Sequence, residues 1–210
     1  MAAYSDHNNY FVREIEKHDG SVLKVNQCHM GDVGCVVWDA AIVLAKYLET
    51  KLFHDPSLGV NLWAGRRVVE LGAGTGVVGL MAATLGAHVS VTDLEDLQSL
   101  LNINIQDNHT LIHNGSITAK VLKCPSSISS TSAQSIAPLT ETLKQLAGPE
   151  TCIICCYEQR TEGINPKVER QFFELLQQSF HWEEIPLSKQ DQEFSSPDIH
   201  ILHIQKNQRL

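Results

Sequence analysis

Several things are scarce in this chain, and each scarcity excludes something. No run of apolar residues is long enough to span a bilayer, and the first nine residues, Met1 to Asn9, are polar. Neither a membrane helix nor a signal peptide is written, so a cytoplasmic location is expected. Basic residues are outnumbered, 16 Lys and Arg against 24 Asp and Glu, for a formal charge of −8. That balance disfavours recognition of nucleic acid through its phosphates and leaves a protein or a small molecule as the partner. A second cysteine pair is missing as well. Cys152, Cys155 and Cys156 share the apolar run Thr151 to Tyr157, where neighbours on a strand face opposite ways, so no metal site is expected and the thiols read as core residues. The 210 residues suffice for one α/β domain and are too few for two, so residues 1–210 are expected to form a single, monomeric domain.

What is present is concentrated in one stretch. Val68-Val69-Glu70-Leu71-Gly72-Ala73-Gly74-Thr75-Gly76 reads as a strand ending in a glycine-rich turn that opens a helix, with an acid in the strand's last step. Such a turn leaves backbone N–H groups unpaired at the helix start, and glycines let a ligand approach that backbone closely. A nucleotide-like cofactor is the expected occupant. Gly74-Thr75-Gly76-Val77-Val78-Gly79 also satisfies the dinucleotide pattern G-x-G-x-x-G, but in that fold the first glycine follows the strand directly. Here Gly72 holds that place, and the hexapeptide it begins ends in Val77. Glu70, two residues before Gly72, suits a ligand with a cationic amino-acid end and no pyrophosphate, and S-adenosylmethionine is such a ligand.

A second acid belongs to the same site. After a helical stretch from Thr75 to Leu85 and a break at Gly86, the alternating run His88 to Thr92 reads as a strand ending at Asp93. Asp93 stands about twenty residues past the turn, where nucleotide-binding βαβ units place the carboxylate that accepts from the ribose hydroxyls. An aspartate capping the helix that begins at Leu94 satisfies the same pattern.

Around this centre, Phe11 to His18 and Val22 to Cys28 alternate about Asp19-Gly20 and predict a hairpin with a two-residue turn, within residues 10–30. Val36 to Leu48 has helical spacing and leads into an irregular segment, Glu49 to Asn61. A helix over Leu94 to Asn108 and a strand over Ile117 to Leu122 complete a βαβαβ alternation, which predicts a parallel, doubly wound sheet. The second half predicts a helix from Ala137 to Ala147, a buried strand from Cys152 to Tyr157 and a helix from Pro166 to Gln178. Two antiparallel strands follow, Trp182 to Leu187 and Ile199 to Gln205. A reversed final strand suits a methyltransferase sheet and is absent from dinucleotide folds, so an oxidoreductase is the weaker alternative.

Val36-Val37-Trp38-Asp39-Ala40-Ala41, Glu70 to Gly76, Val91-Thr92-Asp93-Leu94 and Cys155-Cys156-Tyr157-Glu158-Gln159-Arg160 together resemble the methyltransferase-like 21 group of class I protein-lysine methyltransferases. The resemblance runs from the hairpin to the final strand and implies an α/β, Rossmann-like sheet of seven strands. It implies S-adenosylmethionine as cofactor and a protein as substrate, with valosin-containing protein expected. By the same resemblance Trp38 lies against the cofactor, Gly72, Ala73 and Gly74 pass beneath it, and Asp93 takes the ribose. Trp38 packed in the helix core is the alternative. Tyr157 and Glu158, at the carboxyl end of a strand, are the candidates for contacting the substrate lysine. An ion pair between Glu158 and Arg160 would instead make that corner structural. One stretch departs from the group: residues 124–134 are Ser-rich where a central fourth strand and an Asp-x-x-Tyr motif are expected. A form without that strand would be less stable and catalytically impaired, retaining partner or cofactor binding.

Overall fold

The structure is a computed structural model and describes residues 10–29, 33–122 and 135–207. The Ser-rich segment 124–134 lies outside the described residues. The chain divides into two compact units, the first ending at Leu122.

The first unit opens with an antiparallel hairpin of β1 (Tyr10–Glu16) and β2 (Val22–Cys28). Its connection is longer than the two-residue turn predicted: Lys17 N–H donates to Ser21 and Gly20 N–H to Lys17. Gly20 takes the left-handed conformation at φ 81°, and Asp19 accepts from the Ser21 N–H, so a bulged loop replaces the tight turn. Helix α1 spans Asp39–Leu48, three residues shorter at its start than the periodicity predicts, because Trp38 is extended (ψ 152°). Short strands β3 (His54–Asp55) and β4 (Val60–Asn61) pair within the segment expected to be irregular.

Next come β5 (Arg67–Leu71), α2 (Val77–Thr84), β6 (His88–Asp93), α3 (Gln98–Asn108) and β7 (Ser116–Val121). The three strands pair in parallel in the order β5-β6-β7, so the predicted βαβαβ unit is present with β6 at its centre. A 3-10 turn over Glu95–Leu97 takes the first turn of the helix predicted from Leu94. Helix α2 is buried almost all round, which follows from its apolar sequence and its place between the sheet and α1. Gly79 makes this possible: a Cβ there would lie 2.3 Å from Val91 Cγ1 and 2.6 Å from Glu70 Oε2.

The second unit holds α4 (Ile136–Leu146), β8 (Cys152–Glu158), α5 (Asn165–Leu176), β9 (Phe180–Glu184) and β10 (Ile199–Lys206). Its sheet has the order β8-β10-β9, and β10 runs antiparallel to both neighbours, as the reversed last strand predicts. Leu176, Phe180, Leu202, Ile204 and Ala147 form its core. Strand β9 ends before Pro186, which has no N–H for a ladder, so the strand predicted to reach Leu187 stops at Glu184. Strand β8 is not the buried strand its composition predicts. Cys152 is exposed and Ile153 to Tyr157 are half-buried, and among the described residues β10 is the one strand paired with β8, which leaves it at a sheet edge. The described residues thus place the strands expected of one sheet in two three-stranded sheets.

Candidate functional site

The site begins where β5 ends. Gly72, Gly74 and Gly76 have φ of 64°, 55° and 81°, a conformation open to glycine and strained for most residues. Gly76 caps α2 from that conformation, and its N–H donates to Ala73. Around Gly72 a Cβ would meet nothing within 4 Å, so this part of the turn faces open space. Gly74 is the crowded position: a Cβ there would stand 2.9 Å from the Gly34 carbonyl oxygen. The 3-10 turn Val33–Cys35 therefore lies against the glycine turn, backbone on backbone.

Asp93 ends β6 beside this turn because the parallel register sets Leu71 opposite Thr92. The Gly74 N–H donates to Asp93 Oδ2 at 2.7 Å, and the Leu94 N–H to Oδ1 at 2.7 Å. Of the two roles that the sequence left open for Asp93, the local cap is seen in the Leu94 N–H bond, and the same carboxylate also receives the Gly74 N–H of the glycine turn. Each oxygen accepts one protein N–H and has further lone-pair capacity, so the group can also receive hydroxyl donors.

Glu70 lies deeper. As a residue it is half-buried, but Oε2 sits beneath α2 and accepts the Gly79 N–H at 2.9 Å. Burial pushes its carboxyl up to about 8; the Gly79 hydrogen bond works against the shift and the charge of Asp93 adds to it. Thr92 closes the strand end by donating its hydroxyl to the Glu70 carbonyl at 2.7 Å, while Ala73 N–H donates to the Thr92 carbonyl.

Trp38 is 44% exposed, which removes it from the helix core, and its Nε1 donates to the Val33 carbonyl at 2.9 Å. That bond ties Trp38 to the same 3-10 turn that contacts Gly74. The six residues expected to hold the cofactor thus fall in one neighbourhood of the first unit. The residues present fit a nucleoside: an open glycine backbone, an aromatic ring exposed to solvent and the Asp93 carboxylate, with the Glu70 carboxyl beneath the turn.

In the second unit, Tyr157 packs against Phe173 and stacks on His200 with ring centroids 5.3 Å apart. Its hydroxyl donates to Glu169 Oε1 at 3.1 Å, and burial, with that acceptor, raises its pKa. The phenol stays protonated at neutral pH. Glu158 pairs with Arg160 at 3.2 Å, both side chains about half exposed, which is the structural alternative for that corner. Burial likewise pushes the Cys155 and Cys156 thiols up to about 11 and about 12, which makes them poor nucleophiles. A groove of about 460 Å³ along α5, lined in part by Glu169, Phe173 and Trp182, contains neither Tyr157 nor Glu158.

Sequence reasoning missed the carboxamides that hold this neighbourhood. Gln98 Nε2 donates to the carbonyls of Asp93 and Lys120, joining the carboxyl ends of β6 and β7. Gln27 Oε1 accepts the Val37 N–H at 2.8 Å and sets the entry to Trp38. Asn104, fully buried, reaches both β2 and the carbonyl of Thr75. The available signal was polar residues at helical spacing, Asn104 and Asn108, interrupting the apolar face of α3.

With the geometry in place, comparison with known proteins narrows the chemistry. The model of a family described as lysine methyltransferase matches residues 17–179. Protein N-lysine methyltransferase METTL21A of Danio rerio is 47% identical over 76 residues, 36% of this chain and 31% of that protein. EEF1A lysine methyltransferase 3 of Xenopus tropicalis is 36% identical over 91 residues, 42% of this chain and 37% of that protein. The match spans about a third of the length of these curated relatives. Among solved structures, mitomycin 7-O-methyltransferase MmcR superposes with a TM-score of 0.51 at 10% identity, covering 80% of this chain and 53% of that one, a likeness of fold alone.

Proposed function

The chain belongs to the lysine methyltransferase family, and from that premise we propose that it is an S-adenosylmethionine-dependent protein-lysine N-methyltransferase. The observation that carries the proposal is the left-handed glycine turn closed onto Asp93 by the Gly74 N–H at 2.7 Å. S-adenosylmethionine supplies an electrophilic methyl group on a sulfonium. Gly72, Ala73 and Gly74 offer it a backbone without obstructing side chains, Asp93 takes ribose hydroxyls, and Trp38 provides a face for the ring system. Glu70 braces the turn from below, its carboxyl protonated at neutral pH and accepting the Gly79 N–H.

Methyl transfer to an amine requires a neutral lysine held in line, and little acid–base machinery. Desolvation lowers a lysine pKa, and aromatic faces tolerate the methylated cation. Tyr157 suits the latter role, because with its hydroxyl engaged by Glu169 and its phenol protonated it presents a ring and is no base. Glu158 is the candidate for orienting the incoming ammonium, in competition with Arg160. Among described residues no helix is long and apolar enough to cross a membrane; a cytoplasmic location and a monomeric state are part of the proposal and rest on the sequence reading. The substrate we propose is a protein, with valosin-containing protein first, on the motif from Cys155 to Arg160.

A second reading is favoured by one observation: β8, an apolar strand, is half-buried at a sheet edge. On that reading the chain is a catalytically impaired form that retains cofactor or partner binding. Incubation with methyl-labelled S-adenosylmethionine and valosin-containing protein tests both. Labelled lysine supports the enzyme. Cofactor binding without label on that protein or on a lysate leaves the impaired form, and absence of both rejects the proposal.

A further inference from the structure

We infer that Asn104 is a positioning residue for the cofactor turn, coupling the N-terminal hairpin to the backbone of Thr75. The inference rests on the reading of that turn as the cofactor site.

Helix α3 presents two asparagines one turn apart, and each grips a residue of β2 as a neighbouring strand would. The Lys24 N–H donates to Asn108 Oδ1 and Asn108 Nδ2 donates to the Lys24 carbonyl, both at 2.8 Å. The Asn26 N–H donates to Asn104 Oδ1 at 2.7 Å, and Asn104 Nδ2 returns a bond to the Asn26 carbonyl at 3.1 Å. Lys24 and Asn26 are two apart on the strand, so their outward backbone groups repeat at a spacing that the i and i+4 positions of a helix can match. The clamp satisfies backbone groups of β2 that β1 does not reach.

The two asparagines differ in their remaining bonds. Asn108 Nδ2 also donates to the Asn104 carbonyl in its own helix, whereas Asn104 Nδ2 also donates to the Thr75 carbonyl at 2.9 Å. Thr75 lies between Gly74 and Gly76, 3% exposed. Asn104 Oδ1 takes a second donor, Asn26 Nδ2, at 3.0 Å. With donors on one side and two carbonyls on the other, the orientation of the amide is fixed by its partners. The Thr75 carbonyl shares its peptide plane with the Gly76 N–H, which donates to the Ala73 carbonyl, and that carbonyl shares its plane with the Gly74 N–H, the group that engages Asp93. Asn104 therefore acts through the turn, while Asn108 serves the hairpin and its own helix.

This difference supplies a matched control. Asn104→Asp replaces the donor with an oxygen facing the carbonyls of Thr75 and Asn26, and Asn108→Asp does the same facing Lys24. Three measurements decide: thermal stability, affinity for S-adenosylmethionine by calorimetry, and amide hydrogen exchange of Ala73, Gly74 and Gly76 without ligand. Both variants lower stability. Asn104→Asp alone weakens the affinity by about tenfold, the scale of one buried hydrogen bond, and speeds exchange in the turn. Equal effects of the two variants on affinity and exchange, or none, overturn the inference. If the unaltered chain binds no S-adenosylmethionine, the cofactor reading fails, and exchange in the turn still decides the role of Asn104. Should either aspartate variant not fold, Asn104→Ala against Asn108→Ala makes the same comparison without an added charge.

Discussion

Strands β6 and β8 are both short and apolar, and they end in different surroundings. β6 has a parallel neighbour on each edge, and its Val89 and Val91 are 3% and 0% exposed. Among the described residues β8 pairs with β10 alone, and no residue of Cys-Ile-Ile-Cys-Cys-Tyr-Glu reaches full burial. Composition writes a strand, but neighbours bury it. The same contrast runs through the chemistry. The residues beside β6 form a connected set of backbone and carboxylate bonds around the glycine turn, whereas beside β8 the polar residues pair locally, Tyr157 with Glu169 and Glu158 with Arg160.

The largest effect is expected at the connected end. Gly74→Val forces a branched residue into the left-handed region, at a cost of about 1–3 kcal/mol, and drives its side chain toward the Gly34 carbonyl. Cofactor binding by calorimetry falls below detection while circular dichroism retains the helices. Next is a direct comparison within the second sheet. Ile204→Ala, at a fully buried position of β10, costs about 3 kcal/mol, while Ile154→Ala in β8 costs about 1 kcal/mol. Denaturant unfolding measures both, and equal losses would mean that β8 is as buried as its composition suggests.

A pH effect follows from Glu70. Its carboxyl, ordinarily near 4.5 and raised to about 8 in the fold, holds a proton that the unfolded chain has already released. Between those pH values the folded state binds more protons, so stability falls as pH rises and levels off above about 8. Glu70→Gln keeps an acceptor for the Gly79 N–H and removes the fall, so melting temperature against pH becomes flatter. The smallest change is expected at Arg160→Ala, which breaks a half-exposed pair with Glu158 and shifts stability by less than about 0.5 kcal/mol. A gain in methyl transfer in that variant would identify Glu158 as the substrate-side carboxylate.

What was legible in the sequence follows the same division. The turn from Gly72 to Gly76 and the acid at Asp93 are local features, a strand end followed by residues with special conformations, and spacing was enough to find them. The exposure of Trp38 required knowing that α1 begins at Asp39, three residues later than its periodicity predicts, with the Val37 N–H held by Gln27 of β2. Asn104 looked like an interruption of an apolar face because its partners, Asn26 and Thr75, lie 78 and 29 positions away. The edge position of β8 was illegible for a related reason: Ile153 to Tyr157 have the composition of a central strand, and only pairing shows otherwise.

The most direct test is calorimetric titration of the folded chain with S-adenosylmethionine, beside Gly74→Val. Saturable one-to-one binding, lost in the variant, is the predicted result. A folded chain that binds no S-adenosylmethionine, or a variant that binds it equally well, would contradict the assignment of the glycine turn and Asp93 as the cofactor site.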